Sequence, residues 1–339
     1  MAAARNVRIE VVESDALSVK ADVLALKYAQ ALYGADREVY QLLATAPEKP
    51  QLPETDACTL QRSGGLLAAT WVLYVGVSPL PQFGYSEIRN FAHKVLATLA
   101  TEAPATERLA LTLHGAGFGL DEMEAFKAEL AGLADAFTSG DYPESLTTVT
   151  FAERNPERAR RMNIRLQRLL PDGLLPLNML LSRSTVDAGT QADLRTAGYG
   201  AASKPHIFVA MPFAAAMDDV FHYGIQGAAN AAGFLCERAD LSNFTGDVMD
   251  WVKRRIAGAT LVVADLSSAN PNVYLEVGYA WGCRVPTVLL VKDAAELTFD
   301  VRGHRCLVYK SIRQLEETLR SELQELSKTS TNAGGQREP

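Results

Sequence analysis

No stretch of the chain approaches the roughly 20 consecutive apolar residues that span a bilayer, and no secretory leader follows Met1. The four cysteines, Cys58, Cys236, Cys283 and Cys306, show no CxxC spacing, and the five histidines form no ligand motif beside them. These absences predict a soluble, reduced, cytoplasmic chain with no membrane segment and no structural metal. Neither GxGxxG nor GxxxxGKS occurs in the second half, which excludes a Rossmann fingerprint and a P-loop there. Positive charge is in deficit: the formal net charge of -7 argues against a nucleic-acid surface and points to a small, partly anionic ligand.

What is present is ordinary for a globular protein, with 48% hydrophobic and 22% charged residues, and 339 residues suggest two domains. From Lys204 onward, short apolar strands alternate with helical stretches. Residues 207–211, 234–237, 260–264, 287–291 and 306–309 read as five strands of an α/β unit. In the flavodoxin-like order 2-1-3-4-5, its ligand crevice falls at the carboxyl ends of the first and third strands. Those ends carry Met211, Pro212 and Phe213, and Asp265, Leu266 and Ser267.

The first half reads as a second α/β domain, with apolar runs at 7–12, 22–26, 69–77, 109–113 and 146–151. A Gly-rich turn, His114 to Asp121, precedes a helical stretch over 122–137. Asn155 and Pro156 open a further helix carrying Arg158, Arg160, Arg161, Arg165 and Arg168, read as a solvated basic face. The expected layout is a first domain over 5–170, a linker over 171–203, a second domain over 204–326 and a frayed polar tail over 327–339.

The most informative run extends from Ala264 to Gly282. Asn270 and Pro271 form an N-cap and first-turn pair, so a helix starts at Pro271. Helical spacing puts Asn272, Glu276 and Tyr279 on one face, and Val273, Val277 and Ala280 on another that packs on the sheet. Glu276 is the only acid in that helix. Its two readings are a solvated surface carboxylate and a reactive group at the crevice. Asp265 likewise either caps the turn after its strand or acts chemically, and Phe213, Tyr274 and Tyr279 either stack on a base or fill core.

The pieces Phe208-Val209-Ala210-Met211-Pro212-Phe213, Gly233-Phe234 with Glu237-Arg238-Ala239-Asp240, the run 264–282 and Phe299-Asp300-Val301-Arg302-Gly303 occur in order. On them the second domain resembles the nucleoside 2-deoxyribosyltransferase-like branch of the TIR-like fold. The resemblance implies that Glu276 is the catalytic glutamate, attacking or stabilising the anomeric carbon of a ribose or deoxyribose. Such chemistry needs a carboxylate because cleavage builds oxocarbenium character there. Asp250, Asp247 or Asp265 would be the second acid. Met211, Pro212, Phe213, Asp240, Asp247, Ser267, Asn272 and Tyr279 would contact the substrate. The first domain resembles a macro domain on Ser14-Asp15-Ala16-Leu17, Ala21-Asp22-Val23-Leu24-Ala25-Leu26 and the Gly-rich turn, although Lys27-Tyr28-Ala29-Gln30 stands where that family has an Asn-rich loop. There a nucleotide would meet Asp15, Asp22, Gly115, Gly117 and Gly119. The expected function is an N-glycosidase-type effector of antiphage type, cleaving NAD or a (deoxy)nucleotide, with a macro-like sensor. The alternative is a non-catalytic nucleotide-binding module that signals by self-association. Either reading implies a nucleotide as substrate or ligand, no required cofactor and a homo-oligomer.

Overall fold

The computed structural model describes residues 6–180, 186–238, 248–298 and 301–333. The chain forms two compact units. The first runs through Gly117 and resumes over Glu122–Ala201, and the second combines Phe118–Asp121 with the residues from Ala202 onward.

In the first unit the elements run β1 (Asn6–Glu13), β2 (Val23–Tyr28), α1 (Gly34–Leu43), β3 (Cys58–Arg62), β4 (Trp71–Gly76), α2 (Tyr85–Glu102) and β5 (Arg108–Leu111). They continue with α3 (Glu122–Ser139), β6 (Thr148–Glu153), α4 (Pro156–Leu169), β7 (Leu174–Pro176) and α5 (Ala188–Thr196). The strands form one sheet in the order β3-β4-β2-β5-β6-β1-β7, parallel except for the two edge strands. β2, β4 and β6 are almost wholly buried, as strands covered on both faces must be. α2 and α3 pack tightly because Gly132 lacks a side chain: a Cβ there would lie 2.1 Å from the Arg89 carbonyl oxygen and 2.8 Å from Ala92 Cβ. Gly132→Ala should therefore cost about 1–3 kcal/mol through overpacking, read as a lower denaturation midpoint.

The segment expected to be a loose connection belongs largely to this unit. β7 pairs antiparallel with β1. The buried Arg89 guanidinium grips Asp135 through two bonds of 2.6 and 2.8 Å, donates to the carbonyls of Leu194, Arg195 and Ala197, and lies over the Tyr199 ring. One arginine thus satisfies the carbonyls at the end of α5. Of the basic helix α4, Arg158 and Arg161 are ion-paired to Glu122, and Arg158 also to Glu153, so that face is only partly solvated.

The second unit contains β8 (His206–Ala210), then α6 (Ala215–Asp219) running through a π-helical stretch, Val220–Gln226, into α7 (Gly227–Ala231). β9 (Leu235–Glu237), α8 (Val248–Gly258), β10 (Leu261–Asp265), α9 (Pro271–Gly282), β11 (Thr287–Val291), β12 (Cys306–Val308) and α10 (Ile312–Ala333) follow. The sheet is wholly parallel, in the order β12-β11-β10-β8-β9. Renumbered within the unit this is 2-1-3-4-5, as expected. Alternate residues of β8 feed two cores. Ile207 and Val209 meet Phe221, Ile225, Leu315 and Leu319 on one face, and Phe208 and Ala210 meet Val252, Ile256, Val273 and Val277 on the other. α10 extends to Ala333, through the first half of the segment expected to fray.

Candidate functional site

The turn after β10 sets the crevice. Asp265 is fully buried; its Oδ1 accepts the Ser267 N–H at 3.0 Å and its Oδ2 accepts the Tyr309 hydroxyl at 2.7 Å. Burial, and then the Asp265 charge, push the Tyr309 phenol well above its ordinary value. Ser267 Oγ in turn accepts the Lys292 N–H at 3.0 Å. Asp265, expected as a second acid, and Ser267, expected to contact substrate, are thus both engaged in internal hydrogen bonds. Both are spent on tying together the carboxyl ends of β10, β11 and β12. Beyond them Ser268 and Ala269 adopt φ of 69° and 45° in succession, a left-handed conformation strained for side-chain-bearing residues.

α9 then starts at Pro271, with the Asn270 side chain accepting the Asn272 N–H at 2.9 Å. Val273, Val277 and Ala280 are buried against the sheet. Glu276 is partly buried and has no hydrogen-bond or ion-pair partner among the described residues. Burial pushes its carboxyl up to about 7. Asn272 is exposed and contributes only its backbone to the cap. The Tyr279 phenol is raised, first by its hydrogen bond to Cys283, with smaller contributions from burial and from the charge of Asp250. Asp250 lies exposed on α8, 3.9 Å from Lys253, near Tyr279. Asp240 and Asp247 lie outside the described residues.

Across the crevice, Met211 and Pro212 have buried side chains, and Phe213, 47% exposed, is the member of that trio that reaches solvent. Arg238, a residue the sequence reading quoted but gave no role, stacks 4.0 Å from the Phe221 ring centroid and 5.2 Å from that of Phe213, and pairs with Asp218 at 3.4 Å. Lys292 reaches Met217 Sδ at 3.6 Å.

The residues expected to hold a nucleotide in the first half are placed as follows in the fold. Asp15 accepts the Leu17 N–H at 2.9 Å and closes a turn. Asp22 accepts the Glu107 and Arg108 N–H groups, each at 2.8 Å, at the amino ends of β2 and β5. Ligands of open α/β sheets bind at the opposite end, so Asp22 is corrected to a structural tie. Gly115 is buried with φ +85°, and a Cβ added at Gly117 would meet nothing within 4 Å. Within the second unit, Gly119 has φ +94°, and a Cβ there would lie 2.6 Å from the Trp251 ring, while Asp121 accepts the Cys236 N–H at 2.9 Å. Only glycine fits at 119, for its backbone angle and for the close approach of Trp251.

Sequence reasoning missed two buried polar contacts in the first unit: the ion pair of Lys27 with Asp36 at 2.5 Å, and the hydrogen bond between His114 Nδ1 and Glu129 at 2.9 Å. Lys27 had a signal, since a lone lysine in the apolar run Val23–Tyr28 requires a buried partner.

The chain is similar to macrodomains. Among solved structures it resembles a Trypanosoma brucei macrodomain in complex with ADP-ribose, at 16% identity and a TM-score of 0.36, over 46% of this chain and 68% of that one. The macro domain of ganglioside induced differentiation associated protein 2 gives 14% identity and a TM-score of 0.35, over 48% and 83%. An Oceanobacillus iheyensis macrodomain with MES bound gives 11% and 0.35, over 48% and 92%. No protein-family model matches the chain, and no curated protein matches it. Among the described residues no helix is long and apolar enough to cross a membrane, and no group of three or more His, Cys, Asp or Glu side chains is placed to hold a metal.

Proposed function

We propose that the second unit binds a nucleotide at the carboxyl-end crevice of its sheet and cleaves the N-glycosidic bond of NAD or a (deoxy)nucleotide, with Glu276 meeting the anomeric carbon. The observation that carries this reading is Glu276 itself, a partly buried carboxylate without a partner among the described residues, on the helix that follows the switch-point strand. The bond type is the one implied by the resemblance of the ordered motifs to deoxyribosyltransferase-like proteins. In its ionised form Glu276 stabilises or captures the positive C1 as the C1–N pair leaves with the base. Water then supplies the hydroxyl at C1. Its proton goes to the base of a deoxynucleotide, or to solvent when neutral nicotinamide departs. The first unit is read as a macro-like sensor, and the pair as an effector of antiphage type. The test is incubation of the full chain with NAD and deoxynucleotides and chromatography for released base, beside Glu276→Gln.

A second reading, nucleotide binding without turnover and signalling by self-association, is favoured by one observation: Asp265 is locked and Asp250 lies exposed, so neither supplies a buried second acid. Nucleotide retained in calorimetry with no base released over long incubation would select it.

The raised carboxyl also predicts a stability profile. Because the folded-state value lies near 7, above the ordinary carboxylate value of 4.5, folding takes up a proton in that interval. The contribution is fully present below about pH 4.5 and is lost as pH rises through about 7. Thermal melts across that window should show the wild type falling relative to Glu276→Gln; parallel curves would contradict the burial of the carboxylate.

A further inference from the structure

Two ammonium groups at the carboxyl end of the second sheet stand without a carboxylate partner among the described residues. Lys292 follows β11, yet its Nζ lies 3.6 Å from Met217 Sδ on α6, the helix that follows β8. β10 lies between β11 and β8 in the sheet, so the Lys292 side chain crosses the end of β10 at the switch point. Lys310, just beyond β12, donates from its Nζ to the Lys292 carbonyl at 3.0 Å, which places the second ammonium at the end of β11, on the same carboxyl-end rim. Neither lysine forms an ion pair among the described residues, and the adjacent Asp293 carboxylate is turned onto the Ala295 N–H at 3.0 Å.

The backbones that carry these lysines are fixed. Ser267 Oγ holds the Lys292 N–H, the Tyr309 N–H donates to the Val291 carbonyl at 3.1 Å, and the Tyr309 hydroxyl is held on Asp265. The two residues first read as chemical, Asp265 and Ser267, thus build the base from which both cations project. Two ammoniums on one rim without a carboxylate partner leave that rim positive, and an anion seated there gains a charge-assisted hydrogen bond from each.

We propose that Lys292 and Lys310 form a phosphate subsite of the crevice, so that the second unit takes a phosphorylated nucleotide and discriminates against the free nucleoside. This rests on the nucleotide reading above and adds to it the residues that set the substrate class. A charge-assisted hydrogen bond from each lysine is worth about tenfold in affinity.

Calorimetry on the full chain with adenosine, AMP, NAD and inorganic pyrophosphate tests the assignment, beside a Lys292→Gln/Lys310→Gln double variant whose melting temperature is checked first. AMP or NAD should bind at least about tenfold more tightly than adenosine, and the double variant should bring them down to the affinity of adenosine. Comparison of AMP with NAD separates a monoester from a pyrophosphate ligand. Equal binding of AMP, NAD and adenosine by the wild type, or a phosphate advantage that survives in the double variant, overturns the subsite. If adenosine, AMP and NAD all fail while pyrophosphate binds the wild type and not the double variant, the subsite stands and the nucleotide reading falls. Binding of none of the four overturns both.

Discussion

Glu276→Gln should reduce release of base from the productive nucleotide by about 10³-fold, the scale set by removing a charged group that acts in the transition state. The substitution is close to isosteric, and no hydrogen bond or ion pair of Glu276 is lost with it among the described residues. Burial already disfavours the charged form and pushes the carboxyl up to about 7. The variant should therefore be as stable as the wild type at pH 7 or more so, and a loss of activity cannot be assigned to misfolding. The outcome that sinks the role is base release at the wild-type rate from a variant with an unchanged melt. Activity should also rise with pH through about 7, as the ionised form that stabilises a positive C1 becomes populated.

The same carboxylate shows how far sequence reasoning reaches. Local pattern suffices where local physics decides. The five strands of the second unit and the start of α9 at Pro271 follow from apolar periodicity and an Asn-Pro cap, and the strand order follows from crossover handedness. Long-range partners are another matter. Asp265 ends a strand, and nothing in its neighbourhood reveals that Tyr309 will occupy one of its oxygens. Asp22 precedes an apolar strand, and its position at the amino end of β2, tied to the start of β5, depends on the sheet. The edge strands β3 and β7 carry weak local signals, because β3 is only partly buried, which blurs the alternation that marks a strand, and β7 spans just Leu174–Pro176 and ends in a proline. Arg89 sits in a helix that also carries ordinary surface charges, and its grip on three carbonyls near α5 is visible only once the chain has folded back.

Asp265→Ala should have the largest effect on stability in the second unit, and it separates a structural aspartate from a catalytic one. The substitution leaves the buried Ser267 N–H and Tyr309 hydroxyl without their acceptors. Each orphaned buried donor costs about 1–3 kcal/mol, so the loss should be about 2–6 kcal/mol in all. Asp265→Asn keeps one side-chain oxygen to accept from one of the two donors and should cost less than Asp265→Ala. Denaturant unfolding of the full chain, followed by tryptophan emission with Trp251 and Trp281 in the second unit, reads both variants as shifts in midpoint at constant slope. A catalytic Asp265 would give the opposite pattern, activity lost with the midpoint unmoved. Because Ser267 also fixes the Lys292 backbone, Asp265→Ala should loosen the end of β11 as well, so its damage to nucleotide affinity should exceed that of Asp265→Asn in step with the stability loss.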